Sequence, residues 1–481
     1  MSSIGSSVSL MAVRGSIWTL FGYGGSQTFR LLSNLILAWL LFPEAFGLMA
    51  LINVFMLGLQ LFSDIGIGPN IIRHQGPLDA RFLNTGWTIQ VIRGFALWIV
   101  ACILVYPLSH FYEAVDPLYA SLPTLIPVAA LITIISGFNS TGIFLLNRDM
   151  KLKMLAGLEL IPQFFSSVIM ISWAFLVPSI WALVAGTLAG SIIKLWLSHI
   201  WNPGLKNKFC FDTDNFIIFF NFGKWIFLST IAGFTAVNLD RLILSRIVSL
   251  TELGIYSLAL TLALVGINIA ERLSNIVIFP LLSRLQNDPN LLINSCLKSR
   301  HFVLLLSGCA CVCFALFAPL FFQVLYDDRY ADAGKIAQWL SLYVWFRILN
   351  LSMDRIPLAL GYPKHIFIAN MCSIFVMPLS ILAYDLFLMP GFIMVMTLSC
   401  MSFHIYLLAT LPHGVLKMVR QDIIFTGSFL LYTLPIIFLV NNLHLSFSPL
   451  IQLIYIGIFL IPLGMFSAHQ LVRLLKNRPL S

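Results

Sequence analysis

Long apolar runs separated by short polar segments recur along almost the whole chain. A helix needs about 20 apolar residues to cross the hydrocarbon core of a bilayer, and more when it is tilted. The first run is of full length and lacks a cleavage site, so we predict a retained span rather than a signal peptide. In all, the pattern predicts 14 spans, at 17–42, 45–63, 85–107, 119–146, 154–177, 179–201, 216–247, 253–282, 301–325, 336–354, 365–388, 390–411, 423–440 and 449–472.

The composition agrees with this pattern. Apolar residues make up 59% of the chain and charged residues 10%, whereas soluble proteins average about 45–50% and about 25%. The segments between the predicted spans are too short to hold a soluble catalytic or binding domain. We therefore predict an all-α polytopic membrane protein with about 14 transmembrane helices.

The net charge of +9 reflects how the chain is oriented in the membrane, and it does not indicate a nucleic-acid partner. With the N-terminus placed in the cytoplasm, 20 of the 28 Lys and Arg residues lie in inner loops and tails, and only three lie in outer loops. Such an excess of basic residues on the inner side is typical of membrane proteins. Both termini are therefore predicted to be cytoplasmic, in agreement with an even number of spans.

Spans 1–6 and 7–12 resemble two copies of one six-helix unit. Gly47 opens span 2 after an outer turn containing Glu44, and Gly254 opens span 8 after an outer turn containing Glu252. Parallel repeats of this kind are a common plan for secondary transporters, in which two lobes move around a central cavity. The predicted domains are an N-terminal lobe at 1–201, a cytoplasmic linker at 202–215, a C-terminal lobe at 216–411, and two further helices with a tail at 412–481.

Charged residues inside the predicted spans are the candidate functional residues. Each is costly in lipid, so it is expected to face a wet cavity or a partner. They comprise five arginines and three acids: Arg30, Arg93, Arg241, Arg272, Arg347, Glu159, Asp240 and Glu271. A net positive interior suits an anionic ligand, and the guanidinium fork suits phosphate in particular.

These charges have competing interpretations. Arg30 and Arg272, one in each half, are the best cavity candidates because neither lies close to a membrane surface. Asp240, Arg241 and Glu271 fit structural pairing as well as function, and adjacent charges on one helix cannot pair with each other. The remaining three lie near enough to the cytoplasmic ends for their side chains to reach the surface: Arg93, Arg347 and Glu159.

No enzyme, metal or cofactor site emerges from the sequence. There is no HExxH, GxSxG or Walker A motif, no two histidines lie four residues apart, and the eight cysteines lack disulfide or zinc spacing. We therefore expect no enzymatic activity and no cofactor. Without an ATPase motif, any transport must draw on a gradient, the membrane potential or substrate flow.

Two stretches resemble a known family, the Wzx-type polysaccharide flippases of the multidrug, oligosaccharidyl-lipid and polysaccharide exporter superfamily. The first is FGLMAL at 46–51 and FSDIGIG at 62–68, followed by Arg73 and Asn84-Thr85. The second runs from span 7 to the loop after span 8. Its matching residues are Asn238, Asp240, Gly254, Tyr256, Ala259, Pro280 and Ser283 to Gln286. Fourteen helices suit the branch similar to the colanic acid exporter.

The resemblance implies a function and roles for these residues. Such a protein moves undecaprenyl-diphosphate-linked oligosaccharides from the cytoplasmic to the outer leaflet of the bacterial inner membrane. Arg30 and Arg272 would bind the diphosphate, with Arg93 and Arg347 as further cavity members. Asp240, Glu271, Arg241 and Glu159 would be gating or ion-coupling groups. The expected partners are the lipid-linked oligosaccharide, membrane lipids, and the polysaccharide polymerase and chain-length machinery.

Three alternatives remain open from the sequence. A drug exporter of the same superfamily usually carries an acidic residue in its first lobe, but spans 1–4 contain none. A lipid II flippase shares the 14-helix plan and a cationic cavity, so it is harder to separate. A membrane-embedded glycosyltransferase or ligase would need a large outer loop with catalytic acids, and the predicted outer loops are short.

Overall fold

A computed structural model shows the chain as a helical protein. It describes residues 22, 24–62, 67–68, 71, 79–149, 151–201, 207–273, 289–354, 356–357, 362–410 and 415–442, and no strand occurs among them. Predicted span 14, the start of span 1 and the end of span 8 lie outside the described residues. The chain divides into two compact units, Met1–Gly254 and Ile255–Ser481.

The first unit contains the helices of predicted spans 1 to 7. They are α1 at 24–40, α2 Pro43–Phe62, α3 Ala80–Glu113, α4 Leu122–Ala129, α5 Leu131–Gly137, α6 Gly142–Arg148, α7 Leu152–Leu176, α8 Trp181–Ile200 and α9 Thr213–Ile247. Helix α7 packs along α8, α5 packs on α3, and α9 packs on α2. A further helix, α10 Leu250–Leu273, begins in the first unit and continues into the second.

Predicted span 4 is broken into the short helices α4, α5 and α6. The break after α5 exposes backbone carbonyls that a continuous helix would have bonded internally. The Gln90 amide on α3 donates to the carbonyls of Ser136, Gly137 and Asn139, each at 3.1 Å. The Trp87 indole donates to the next carbonyl, that of Phe138, at 3.3 Å. Side chains of α3 therefore replace the missing helical hydrogen bonds.

The segment 207–212 is neither helix nor strand and lies against α3. We call it the strap. The backbone N–H groups of Lys208 and Cys210 donate to Asn84 Oδ1 at 3.1 Å and Thr88 Oγ1 at 3.0 Å. The Asp212 N–H donates to Thr85 Oγ1 at 3.3 Å. The strap forms most of the described part of the predicted cytoplasmic linker, which is therefore docked on the first unit.

The second unit contains the helices of predicted spans 9 to 13. They are α11 Pro289–Leu325, α12 Ala331–Leu351, α13 Pro363–Val376, α14 Leu379–Thr410 and α15 Val415–Asn442. Helix α12 packs between α11 and α14, and α15 packs on α11, α12 and α14. Helix α14 is interrupted at Leu388, where φ is 55° and ψ is −145°, so predicted spans 11 and 12 meet at this bend.

The prediction of an all-α membrane fold is confirmed. Eight helices among the described residues are long and apolar enough to cross a membrane. Several helices extend beyond the predicted spans. Helix α11, for example, begins at Pro289, 12 residues before the predicted start of span 9 at residue 301. This extension changes the environment of Arg300, as described below.

Candidate functional site

On α9, the charged pair Asp240 and Arg241 is held by neighbouring polar groups. Arg241 Nη1 donates to Asn238 Oδ1 at 2.8 Å, and Asn238 Nδ2 donates to the Phe234 carbonyl at 3.0 Å. Asp240 is buried, with 3% of its surface exposed. Because Asn238 and Arg241 lie one turn apart, the amide fixes the guanidinium along the helix surface.

The other candidates in the first unit lie apart from this group. Arg30 is exposed on α1, Arg93 is half-buried on α3, and Glu159 is exposed on α7. Each of the three takes part in interactions with its surroundings. Whether these residues share one cavity with candidates of the second unit stays a prediction.

In the second unit, two candidates interact with each other. Arg347 on α12 is half-buried, and the carboxylates of Glu271 on α10 and of Asp354 lie near enough to attract its charge. The Arg347 Nε is buried and receives no hydrogen bond partner from the described residues. The side chain of Arg272 lies outside the described residues, so its predicted role in the cavity stays a prediction.

A cluster that the sequence reasoning missed lies between α11, α12, α14 and α15. Arg300 is fully buried, and its Nη2 donates to Asp422 Oδ1 at 2.6 Å. Its Nε donates to the Ser352 hydroxyl at 2.9 Å. The His404 Nε2 lies 3.0 Å from the other carboxylate oxygen, Asp422 Oδ2. We call these four residues the buried ion cluster.

The cluster escaped detection because two of its members adjoin predicted span ends. Arg300 and Asp422 each precede an apolar run by one residue, so Arg300 was assigned to a basic inner loop and Asp422 to no site. That assignment of Arg300 to a loop is wrong. Helix α11 begins at Pro289, 11 residues before Arg300, and carries the Arg300 side chain into the packed interior. Asp422 offered a signal, since it is acidic at an inner end that otherwise carries Lys417 and Arg420.

The first turns of α10 and α2 are in direct backbone contact. A Cβ added to Gly47 would meet the Leu250 carbonyl and lie 3.2 Å from the Gly254 nitrogen, and one added to Gly254 would meet the Pro43 carbonyl. Beside this contact, Thr251 Oγ1 donates to Glu44 Oε1 at 2.6 Å. Gly47 and Gly254 are the two positions that the predicted repeat relates.

No group of three His, Cys, Asp or Glu side chains within the described part of the chain is placed to hold a metal ion. The polar groups instead form ion pairs and hydrogen bonds among helices.

Residues 36–335, more than half of the chain, match a family described as polysaccharide biosynthesis protein. The chain belongs to this family. Among curated relatives, it is 26% identical over 309 residues to a putative O-antigen transporter of Shigella flexneri, covering 58% of this chain and 71% of that protein. It is 24% identical over 260 residues to the lipopolysaccharide biosynthesis protein WzxC of Escherichia coli (strain K12), covering 53% and 50%.

A third member of the polysaccharide biosynthesis group is the teichuronic acid biosynthesis protein TuaB of Bacillus subtilis (strain 168). It is 19% identical over 307 residues, which cover 63% of this chain and 62% of TuaB. The match thus spans less than two thirds of the length of TuaB and half of the length of WzxC.

Solved structures identify the fold. The lipid II flippase MurJ in an inward closed conformation superposes with a TM-score of 0.64 at 16% identity, covering 96% of this chain and 99% of that one. A multidrug resistance MATE family transporter of the MOP superfamily, inward-facing, gives a TM-score of 0.63 at 12% identity, covering 82% and 95%. The chain therefore has the fold of a polytopic membrane transporter, as the sequence predicted.

Proposed function

We propose that the chain is a flippase that moves undecaprenyl-diphosphate-linked oligosaccharides from the cytoplasmic to the outer leaflet of the bacterial inner membrane. The observation that carries the proposal is that this chain has a transporter fold and also belongs to a family of polysaccharide biosynthesis proteins. A relative described as a putative O-antigen transporter supports a glycan-related cargo. We propose no enzymatic step for this protein.

The charges inside the predicted spans suit such a cargo. A diphosphate carries negative charge that guanidinium groups bind through paired hydrogen bonds. In this proposal Arg30, Arg272, Arg93 and Arg347 line the path of the diphosphate. The sugars occupy the wet cavity, and the isoprenoid tail stays in lipid.

In the substrate-free state of this proposal, the charge of Arg347 is balanced by Glu271. Without substrate, the half-buried Arg347 guanidinium needs a nearby anion, and Glu271 and Asp354 supply that charge. The arriving diphosphate competes for Arg347 and releases Glu271. This exchange would make Glu271 a coupling group, with Asp240, Arg241 and Glu159 as further gating or ion-coupling groups.

We propose alternating access as the transport cycle, with the contact between α2 and α10 as its outer closure. In the predicted topology, Glu44, Gly47 and Gly254 lie at the outer ends of spans 2 and 8. Backbone contact at two glycines and the bond between Thr251 and Glu44 hold these ends together. Release of the glycan to the outside requires this contact to separate.

Deletion of the gene in its native host, followed by extraction of diphosphate-linked glycolipids, tests the function. A flippase deletion accumulates complete lipid-linked repeat units on the cytoplasmic side and loses surface polysaccharide. Normal surface glycan with altered drug sensitivity would instead indicate a drug exporter. Accumulation of incomplete or unligated units would indicate an enzyme acting on the glycan.

Charge-neutral variants test the proposed path in the complemented deletion strain. Arg30→Gln and Arg347→Gln are expected to lower export at least about tenfold, the effect of losing one charged hydrogen-bonding partner. Lys335→Gln is a matched control, since Lys335 is exposed and pairs only loosely with Asp332 at 3.3 Å. Full export by both arginine variants at normal protein levels would contradict the assignment.

A second candidate function has one specific observation in its favour. The lipid II flippase superposes on nearly the whole of this chain, so lipid II is the alternative cargo. The same extraction distinguishes the two, because loss of a lipid II flippase accumulates the peptidoglycan precursor and stops growth, whereas loss of a polysaccharide flippase leaves peptidoglycan synthesis intact. A polysaccharide polymerase and chain-length machinery are expected partners only for the first candidate function, the flipping of polysaccharide repeat units.

A further inference from the structure

The buried ion cluster joins four helices that are distant in sequence. Arg300 lies on α11, Ser352 caps α12, His404 lies on α14 and Asp422 lies on α15. The cluster borders an apolar core that includes Cys296, Met353, Phe403, Leu407 and Met418. Charges in such surroundings are poorly solvated, so a change of one charge there has a large effect on packing.

The charges of the cluster balance without any contribution from histidine. Arg300 and Asp422 form a bonded pair of opposite charges, and both carboxylate oxygens of Asp422 are engaged. His404 therefore needs only to donate its Nε2 proton to Asp422, which a neutral imidazole does. In this form the cluster has no net charge.

The second nitrogen of His404 is the atom at which the cluster can change. His404 is 6% exposed, and its Nδ1 is buried with no hydrogen-bond partner among the described residues. In the neutral tautomer that donates from Nε2, this nitrogen carries a free lone pair. It can accept a proton without breaking any bond that holds the cluster together.

The other groups around His404 do not compete for that proton. From α11 the titratable groups are Arg300, which keeps its charge, and Cys296, whose thiol stays neutral because burial raises its pKa to about 11. The third is His301, whose ring packs edge-on against Phe425 of α15 at 4.9 Å, away from Asp422. From α12 the facing group is the Ser352 hydroxyl, and from α15 it is Asp422. Lys417 and Arg420 on α15 are exposed, and His365 on α13 bonds to Tyr406 at 3.2 Å instead.

We propose that His404, held by Asp422 and Arg300, is a proton-binding site that controls the docking of α15 on the second unit. A proton from the aqueous phase adds to Nδ1 and forms an imidazolium, and it leaves by the same route. Arg300 already neutralises Asp422, so the added positive charge has no buried counterpart. The protonated cluster therefore favours a state in which water reaches it and the first turns of α15 separate from α11 and α14.

The predicted topology says which compartment supplies the proton. Arg300, Ser352, His404 and Asp422 all lie near the cytoplasmic ends of their predicted spans. The site would therefore respond to the cytoplasmic pH. An imidazole ordinarily gains or loses its proton between pH 5 and 8, within the range that a cell can reach.

Hydrogen exchange of the purified full-length protein in nanodiscs tests the proposal, and it does not depend on which substrate is carried. After correction for the intrinsic pH dependence of exchange, amides of α15 near Asp422 should exchange at least about tenfold faster at pH 5.5 than at pH 8. The amides of α8, in the first unit, serve as the internal reference and should show no such change.

Substitutions assign the effect to one side chain. His404→Gln keeps an N–H donor for Asp422 but cannot titrate, so its α15 amides should exchange at a rate independent of pH. His365→Gln removes a histidine from the same unit and should behave like the unchanged protein. His404→Asn serves as a second non-titrating variant if the glutamine variant does not fold.

Four results would overturn the proposal. The first three are an unchanged protein with pH-independent exchange in α15, a His404→Gln variant that keeps the pH dependence, and exchange that becomes slower rather than faster at pH 5.5. The fourth is loss of the pH dependence in His365→Gln, which would assign the effect to His365 instead of His404.

Discussion

At the scale of single residues, the most demanding group in the protein is Arg300. A fully buried guanidinium is costly unless a nearby carboxylate balances its charge, and Arg300 Nη1 has no hydrogen-bond partner among the described residues. Asp422 meets the charge and Ser352 accepts one further bond. The stability of the second unit therefore depends on both partners being present together.

Arg300→Gln should destabilise the protein by about 3–5 kcal/mol, because it leaves a buried carboxylate without its cation. Thermal unfolding of the purified protein in one detergent measures the loss. The double variant with Arg300→Met and Asp422→Leu removes both charges and should recover most of that stability. A double variant no more stable than Arg300→Gln would show that the pair is not coupled in this way.

Leu388 supplies a second test at this scale. Its backbone has a positive φ of 55°, which costs a non-glycine residue about 1–2 kcal/mol. Leu388→Gly should therefore raise the stability by about 1 kcal/mol, because the side chain is 65% exposed and loses little packing. Leu386→Gly, exposed to a similar degree but within the helix, is the control and should lower stability.

At the scale of elements, hydrogen bonds from side chains let irregular backbone exist beside membrane helices. Unbonded backbone groups are costly where water is scarce. Gln90 meets three carbonyls at the break in span 4, and Asn84, Thr85 and Thr88 meet three N–H groups of the strap. Helix α3 therefore fixes both irregular segments of the first unit.

Docking of the strap predicts a specific cross-link. The Cys210 N–H lies 3.0 Å from Thr88 Oγ1, so in a Thr88→Cys variant the new thiol should lie close enough to Cys210 for a disulfide. Mild oxidation and mass spectrometry of peptides measure the bond. It should be absent when Cys210 is also replaced by Ser, and persistent free thiols at both positions would contradict docking.

The sequence predicted elements better than it predicted partners. Apolar runs identify helices because a span must be apolar along its whole length, and predicted spans 1 to 13 each overlap a described helical segment, of which eight are long and apolar enough to cross a membrane. Helix ends are less well defined, because polar residues such as Arg300 extend a helix beyond the apolar run. The interaction of Glu271 with Arg347 was not predicted, since pairing across helices depends on packing that no local pattern records.

At the scale of the whole molecule, the glycine contact between α2 and α10 would constrain the proposed transport cycle. The contact has no room for a side chain at Gly254, where an added Cβ would meet the Pro43 carbonyl. A protein that cannot close its outer side cannot return to collect the next substrate. In the proposed cycle, the site residues and the closure are therefore separate requirements for export.

Gly254→Ala should reduce export of the lipid-linked glycan at least about tenfold without loss of the protein from the membrane, because closure is blocked. Surface polysaccharide in the complemented deletion strain measures export. Gly427→Ala is the matched control, since an added Cβ there meets no atom within 4 Å. Full export by Gly254→Ala would show that this contact is not required.

The same two glycines bear on how such a protein arose. Gly47 and Gly254 occupy equivalent positions of the predicted repeat and touch each other, and the residues three positions before them, Glu44 and Thr251, are hydrogen-bonded. Equivalent residues meet in this way only at an axis of two-fold symmetry. If the halves descend from one six-helix ancestor, that ancestor worked as a homodimer in which this glycine faced its own copy. After gene duplication and fusion, the acidic residue beside it was free to become Glu on one side and a Thr donor on the other.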